Sequence, residues 1–464
     1  MSVETFTQSI HVRRPADDVF AWHERPGALE RLTPPWERVE ILASSGGIRN
    51  GGRVALRSKI GPVWSRWEVE HRDYIERQQF CDVQVRGPFP TWEHTHRFRA
   101  DSTAESTLTD EIHYELPLGM VGRAGRAFVR GKLERLFTYR HAVMREDLEM
   151  EARYGAVRSM RFVVSGASGL VGRSLVPFLR SQGHEVVRLV RRKPQAEDEL
   201  FWNPTTGELD LARLKPIDAV LHLAGESVTG GRWTAARREE IRNSRVLGTR
   251  TLVAAMERLR HRPFVLVTAS ATGFYGDGAA RTLCEDDVRG GGFLAEVCEA
   301  WEHEAEVARS FGIRVANLRT GLVLTPAGGA LAKMLPLFRL GLGGRLGNGR
   351  QWMSWISIDD LTGAFYHAVL DQRCNGPVNA VAPEPVTNLE FTATLARVLR
   401  RPAVFTVPAP VLKLAFGALA EEMLLASARV MPARLLDAQY RFRHEHLEDA
   451  LRHVLGRATP VEQT

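Results

Sequence analysis

Apolar residues keep two different rhythms along this chain, and the change falls near residue 155. Before it, apolar and polar positions alternate in short runs. Phe6, Ile10 and Val12 share one parity of an opening strand, and Pro15-Ala16-Asp17-Asp18 then starts a helix that carries Val19, Phe20 and Trp22. Gly46-Gly47, Gly51-Gly52 and Gly61-Pro62 mark turns among strand-like runs at 53–60, 63–74, 79–86, 91–98 and 106–116, a spacing that predicts an antiparallel meander. After Gly119, Phe128, Leu133, Phe137, Val143 and Leu148 recur at helical spacing, which predicts one long helix laid on a curved sheet with a cavity between them.

Beyond residue 155 the rhythm is that of strand, helix, strand. Arg161-Phe162-Val163-Val164 is a short buried strand, Ser165 to Gly172 a Gly-rich turn, and Leu175, Phe178 and Leu179 the inner face of a helix. Further strands are expected at 185–190, 217–223, 264–268 and 315–318, with helices near 233–259 and 293–310, so this part predicts an α/β, doubly wound parallel sheet. The Gly-rich stretch 325–349 reads as loop on the substrate side, Asp359 and Asp360 as caps of the next helix, and the region from about 380 to 464 as small and helical. Two domains follow: an α+β unit over 1–152 and an α/β unit over 158–464.

Composition narrows the class. With 44% hydrophobic and 25% charged residues the chain is globular, and no run of about 18 apolar residues offers a membrane span. The four cysteines are far apart and form no C-x-x-C pair, which argues against a disulfide framework or a structural zinc site. The formal net charge of +7 is dispersed in mixed pieces such as Arg237-Arg238-Glu239-Glu240, so no nucleic-acid partner is expected. The opening residues lack the features of a leader, and a cytoplasmic location is expected.

The strongest chemical signal is the turn after the first α/β strand. Gly166 permits the tight turn, Gly169 lets backbone amides approach a pyrophosphate, and Gly172 lets helix and strand pack closely; Ser168, Leu170 and Val171 complete the segment that faces the anion. A second strand then ends in Val190-Arg191-Arg192. An NAD site places an acid there for the ribose hydroxyl, whereas Arg191 and Arg192 match a 2′-phosphate, so NADP(H) is expected over NAD(H). Leu223, Ala224 and Gly225 end an apolar strand in small residues suited to a backbone pressed against the cofactor. In the first domain, Trp92, His94, His96 and Phe98 share a strand face. His94 and His96 have the chemistry of metal ligands, with His113 as a candidate third; histidines among aromatics more commonly line a cavity, and no metal is expected.

The opening strand, the Pro15 to Phe20 helix start and the terminal helix resemble the START-like (SRPBCC, polyketide-cyclase-like) superfamily over about 1–150, which implies a helix-grip fold and an apolar ligand. S-G-A-S-G-L-V-G, H-L-A-G and T-A-S-A-T-G-F-Y-G, in this order, resemble an extended short-chain dehydrogenase/reductase with a Rossmann sheet. The block His222 to Glu226, Arg232-Trp233-Thr234, Ser244-Arg245-Val246, the run Gln351 to Asp360 and Ala426 to Leu436 with Phe442-Arg443-His444 narrow this to the NAD-dependent epimerase-like family, over about 160–458. His222 stands where Asn is usual, Ser357 where His is common and Gln439 where Gly is expected. The resemblance implies that Ser270 polarises a substrate carbonyl. The superfamily's Tyr and Lys, four residues apart, are missing: Leu294 and Cys298 occupy their places, and Tyr275 is the nearest substitute proton donor. Three readings stay open: an NADP-dependent oxidoreductase or epimerase acting on a small, hydrophobic carbonyl or hydroxyl substrate, a degenerate NADP(H) sensor, and a carrier of apolar ligands.

Overall fold

The computed structural model describes residues 3–61, 63–116, 125–155 and 157–459; Pro62 of an expected turn, Gly119 and the residues just after it, and the first two residues lie outside them. The chain divides into two compact units, one built mainly from residues 1–158 and the other mainly from the remainder. No described helix is long and apolar enough to cross a membrane.

In the first unit, β1 (Val3–Val12) leads through α1 (Ala16–Glu24) and α2 (Ala28–Arg31) to β2 (Val39–Ser45), β3 (Arg53–Ile60), β4 (Val63–Ile75), β5 (Gln79–Arg86), β6 (Trp92–Ala100), β7 (Ser106–Glu115) and α3 (Arg126–Tyr154). The seven strands form one antiparallel sheet in the order β1-β7-β6-β5-β4-β3-β2. Strand β2 escapes a reading of the sequence because most of its side chains are exposed and it has no buried parity. Alternation along β7 buries Leu108, Ile112 and Tyr114, and the inner stripe of α3 buries Leu133, Phe137, Met144 and Leu148 against that face. Each such side chain contributes about 1.5–3 kcal/mol by leaving water. One ion pair is built into the same layer: Arg31 of α2 meets the fully buried Asp147 of α3 through two bonds of 2.8 and 3.0 Å. The gap left between sheet and helix is small, with room for about one water molecule. Leu108, Phe137 and Met144 line it together with His96, Asp110 and His141.

The second unit runs β8 (Arg161–Ser165), α4 (Gly172–Ser181), β9 (Glu185–Val190), β10 (Glu199–Asn203), β11 (Glu208–Leu209), β12 (Ala219–His222), α5 (Ala235–Glu257), β13 (Val265–Ala271), α6 (Phe293–Glu306), β14 (Arg314–Thr320), α7 (Gly329–Arg339), α8 (Ile358–Leu370) and β15 (Gly376–Ala380). These strands form an eight-stranded sheet in the order β11-β10-β9-β8-β12-β13-β14-β15, parallel except for the edge strand β11. Their apolar blocks are buried because helices cover both faces. The stretch 325–349 is less loop-like than expected. Between its glycines, Ala330 to Leu335 are strong helix formers, and Leu331, Leu335 and Phe338 fall on one buried stripe of α7. The cap of α8 also differs: Ser357 accepts the amide of Asp360, whose carboxylate instead takes the amides of Arg443 and His444 in the C-terminal segment.

Candidate nucleotide site and the buried polar cluster beside it

The order of the parallel sheet reverses between β8 and β12, and this is where an open α/β sheet leaves a crevice at its carboxyl ends. The turn after β8 is shaped by two glycines. Gly166 has φ +70°, and a Cβ there would stand 2.7 Å from the amide of Ala224; at Gly172 a Cβ would stand 2.6 Å from the Cα of Ala167. Only glycine fits either position. The amide of Gly169 closes the turn on the carbonyl of Gly166 at 2.9 Å. The amides of Ser168, Leu170 and Val171 donate no hydrogen bond among the described residues, so they stand open beside the N-terminus of α4. Across the crevice, the hydroxyl of Ser165 accepts the amides of Leu223 and Ala224 at 3.2 and 3.3 Å and fixes the turn that follows β12. Gly225 lies under Arg245, whose guanidinium is half-buried over the ring of Trp301 and bonded to the carbonyls of Glu226 and Ile241.

Arg191 and Arg192 follow β9 directly, and both are exposed. They are not equivalent. Arg192 forms a fork on the buried Glu199 of β10 at 2.8 and 2.7 Å, and Glu199 also accepts the amide of Gln195. Arg191 makes no hydrogen bond or ion pair among the described residues.

Ser270 and Tyr275 are brought into one buried cluster through two residues that the sequence reading passed over. Ser270 donates to Glu302 of α6 at 2.7 Å, and Glu302 is held by a two-bond fork from Arg319 of β14, at 2.9 and 2.8 Å. Arg319 also donates to the hydroxyl of Tyr275 at 3.0 Å, and that hydroxyl donates to Asn379 at 2.8 Å. All of these side chains are buried. Burial pushes the Tyr275 hydroxyl up to about 12, so it stays protonated at neutral pH with both of its bonding directions used. Cys298, at the place of the missing lysine, is pushed up to about 11 by burial and is a thiol. Glu302 and Arg319 left a readable trace: each is a charged residue in a mostly apolar buried stretch, of α6 and of β14.

In the first unit, His94 and His96 do lie side by side on the inner face of β6. His113 does not join them. It sits on the outer parity of β7, bonded to Thr5 and Glu111. The acids that reach the pair are Asp82 of β5 and Asp110 of β7.

Comparison with known proteins places these features in families. Residues 162–380 match the NAD dependent epimerase/dehydratase family, residues 4–149 the polyketide cyclase/dehydrase and lipid transport family, and residues 407–454 a domain of unknown function, DUF1731. An epimerase family protein of Mycobacterium bovis is 42% identical over 294 residues, which is 63% of this chain and 97% of the relative. The crystal structure of a nucleoside-diphosphate sugar epimerase from Corynebacterium glutamicum aligns over 98% of this chain and 91% of its own, at 32% identity and a TM-score of 0.81. The human epimerase family protein SDR39U1, solved with NADPH, aligns over 64% of this chain and 99% of its own, at 31% identity and a TM-score of 0.59.

Proposed function

This chain belongs to the NAD dependent epimerase/dehydratase family, and we propose that it binds NADP(H) in preference to NAD(H) and moves a hydride at a hydroxyl-bearing carbon of a small molecule. The observation that carries the cofactor reading is the pair of arginines after β9, with Arg191 unengaged where an NAD site would hold an acid. The open amides of Ser168, Leu170 and Val171 suit the pyrophosphate, and the NADPH bound by the human relative supports the same nucleotide. When bound, the nicotinamide supplies the hydride acceptor or donor.

The chain's own part is proton handling. Ser270 has its proton directed at Glu302, so its oxygen keeps lone pairs for a substrate hydroxyl. On oxidation the substrate's O–H bond breaks, its proton passes to Ser270 and the serine proton to Glu302, while the hydride leaves from carbon; reduction runs the same path backwards. Removal and return of the hydride at one carbon would epimerise it. Tyr275 has no free direction for a substrate and serves to hold Arg319, which in turn sets the Glu302 carboxylate. The Corynebacterium relative makes nucleoside-diphosphate sugars the first substrates to try. The family matched by the first unit points to an apolar ligand there, for which the small gap between sheet and helix would have to widen.

Two measurements test this. Calorimetric titration should show NADPH binding at least tenfold tighter than NADH (~1.4 kcal/mol). Arg191→Ala should abolish most of the difference, and Arg192→Ala less of it because Glu199 already holds that side chain. Equal affinities in the unmodified protein would refute the assignment. Ser270→Ala should lower kcat by roughly 10²-fold, the effect of losing one positioned donor, and leave NADPH affinity nearly unchanged. Undiminished turnover in that variant would refute the relay.

A further inference from the structure

The geometry points to a second site, in the first unit: we propose that Asp82, His94 and His96 bind one divalent transition-metal ion. One ligand atom from each of the three lies within 4.8 Å of the other two. The sheet register produces this. His94 and His96 project from the same face of β6 because alternate side chains do, and Asp82 of β5 is the direct cross-strand partner of His94.

The distances separate a metal site from a hydrogen-bonded one. Oδ2 of Asp82 is 3.7 Å from Nδ1 of His94 and 3.5 Å from Nε2 of His96. The first is too long for a hydrogen bond and the second stands at the outer limit of one, whereas two ligands at ~2.1 Å on a shared tetrahedral ion stand ~3.4 Å apart. The outward nitrogen of each ring faces a carboxylate, and that of His94 is hydrogen-bonded to it. Nε2 of His94 bonds to Oδ1 of the buried Asp110 at 3.0 Å, and Nδ1 of His96 lies 2.7 Å from the same oxygen. Asp110 is itself held by Nε2 of His141 at 2.6 Å, and the second oxygen of Asp82 lies 2.8 Å from Nε2 of His71.

A carboxylate behind the imidazole that faces the metal is the arrangement that orients metal-binding histidines and makes them better ligands. The close approaches at His96 Nδ1 and Asp82 Oδ1 are off the hydrogen-bonding direction, so both atoms are buried without a hydrogen-bond partner among the described residues. Such atoms are costly unless the cluster serves something besides its own hydrogen bonds. The carboxylates of the buried Asp110 and the half-buried Asp82 also balance the charge of a divalent ion. The two-nitrogen, one-oxygen set suits Zn²⁺, Co²⁺ and Fe²⁺ better than Mg²⁺ or Ca²⁺. The side chain of Asp82 is 24% exposed, which gives the ion a path in and leaves coordination positions for water or an exchangeable anion.

The test uses the full chain, stripped with a chelator and titrated with Co²⁺ as the probe. One Co²⁺ per chain should bind, with visible d–d absorption in the range of a four- or five-coordinate nitrogen/oxygen site and no thiolate charge-transfer band, and the melting temperature should rise. Zn²⁺ should displace it. Asp82→Asn and His96→Gln, each checked by circular dichroism, should weaken Co²⁺ at least tenfold, and Asp82→Asn, at the half-buried rim, is the variant least able to disturb the fold. Failure of the stripped protein to take up Co²⁺, or uptake unchanged in both variants, would overturn the proposal. Neither result depends on nucleotide binding by the second unit.

Discussion

Histidine 222 is the residue whose surroundings most constrain its charge. It ends β12 with no exposed surface, its Nδ1 lies 2.6 Å from the hydroxyl of Ser165, and its Nε2 has no hydrogen-bond partner among the described residues. Burial first, and the Arg245 guanidinium second, lower its pKa to about 3. The ring is therefore neutral in the fold, while in the unfolded chain it would titrate at its ordinary value of 6.5. Between these two values the unfolded chain takes up a proton that the folded one refuses. The contribution to stability is thus full above about 6.5 and is lost as the pH falls, by about 1.4 kcal/mol per pH unit for one proton. His222→Asn, which puts the amide usual in this family at that position, removes this one term and leaves every other acid-sensitive group in place. Urea unfolding at pH 7 and pH 5 should show the parent losing about 2 kcal/mol more than the variant between the two conditions. Parallel losses in the two proteins would show that the ring is not held neutral.

At the scale of elements, α6 and β14 are tied by Glu302 and Arg319, and the guanidinium also lies 3.4 Å from the ring centre of Phe274. Breaking a buried pair from one side strands the other charge, so Glu302→Leu and Arg319→Met should each cost about 3–5 kcal/mol, while the double variant that combines them should recover most of the loss. Denaturant titration of the singles and the double checks this, and additive losses would mean that the two charges are not coupled. Tyr275→Phe should cost only about 1 kcal/mol, because it removes hydrogen bonds and strands no charge. The same elements show what the sequence could and could not disclose. β8, β12 and β13 were legible because burial on both faces writes apolar blocks, α6 because its buried residues recur at helical spacing, and the Gly166 turn because its left-handed backbone is a local demand. β10 and β15 were not: each interrupts its apolar residues with a buried polar one, Glu199 in β10 and Asn379 in β15, and the partner of Asn379, Tyr275, lies 104 residues away. Ser270 could be found by its place after β13, but its bond to Glu302 joins residues 32 apart and exists only once α6 packs on the sheet.

For the molecule as a whole, the two units were read with unequal success for the same physical reason. The nucleotide crevice draws on a contiguous turn and its neighbours, whereas the polar cluster of the first unit draws one residue or two from each of β4, β5, β6, β7 and α3, so that only sheet register brings Asp82 and Asp110 to His94 and His96. Each unit nevertheless has its own core: Phe20, Trp22, Phe98 and Leu148 are buried together in the first, and Val163, Val220, Leu252 and Leu266 in the second. A unit with a complete core should fold alone. Residues 1–155 expressed by themselves should give a soluble, monodisperse protein with a single cooperative melting transition, and residues 157–464 should retain NADPH affinity within a few-fold of the full chain. The sheet of the first piece closes on α3 without borrowing a strand, and all seven of its strands pair within residues 3–115, so no sheet edge is left waiting for the second unit to complete it. Aggregation of the first piece beside a well-behaved full chain, or loss of NADPH binding in the second, would show that stability is shared between the units and that the boundary near residue 155 does not separate two independent folds.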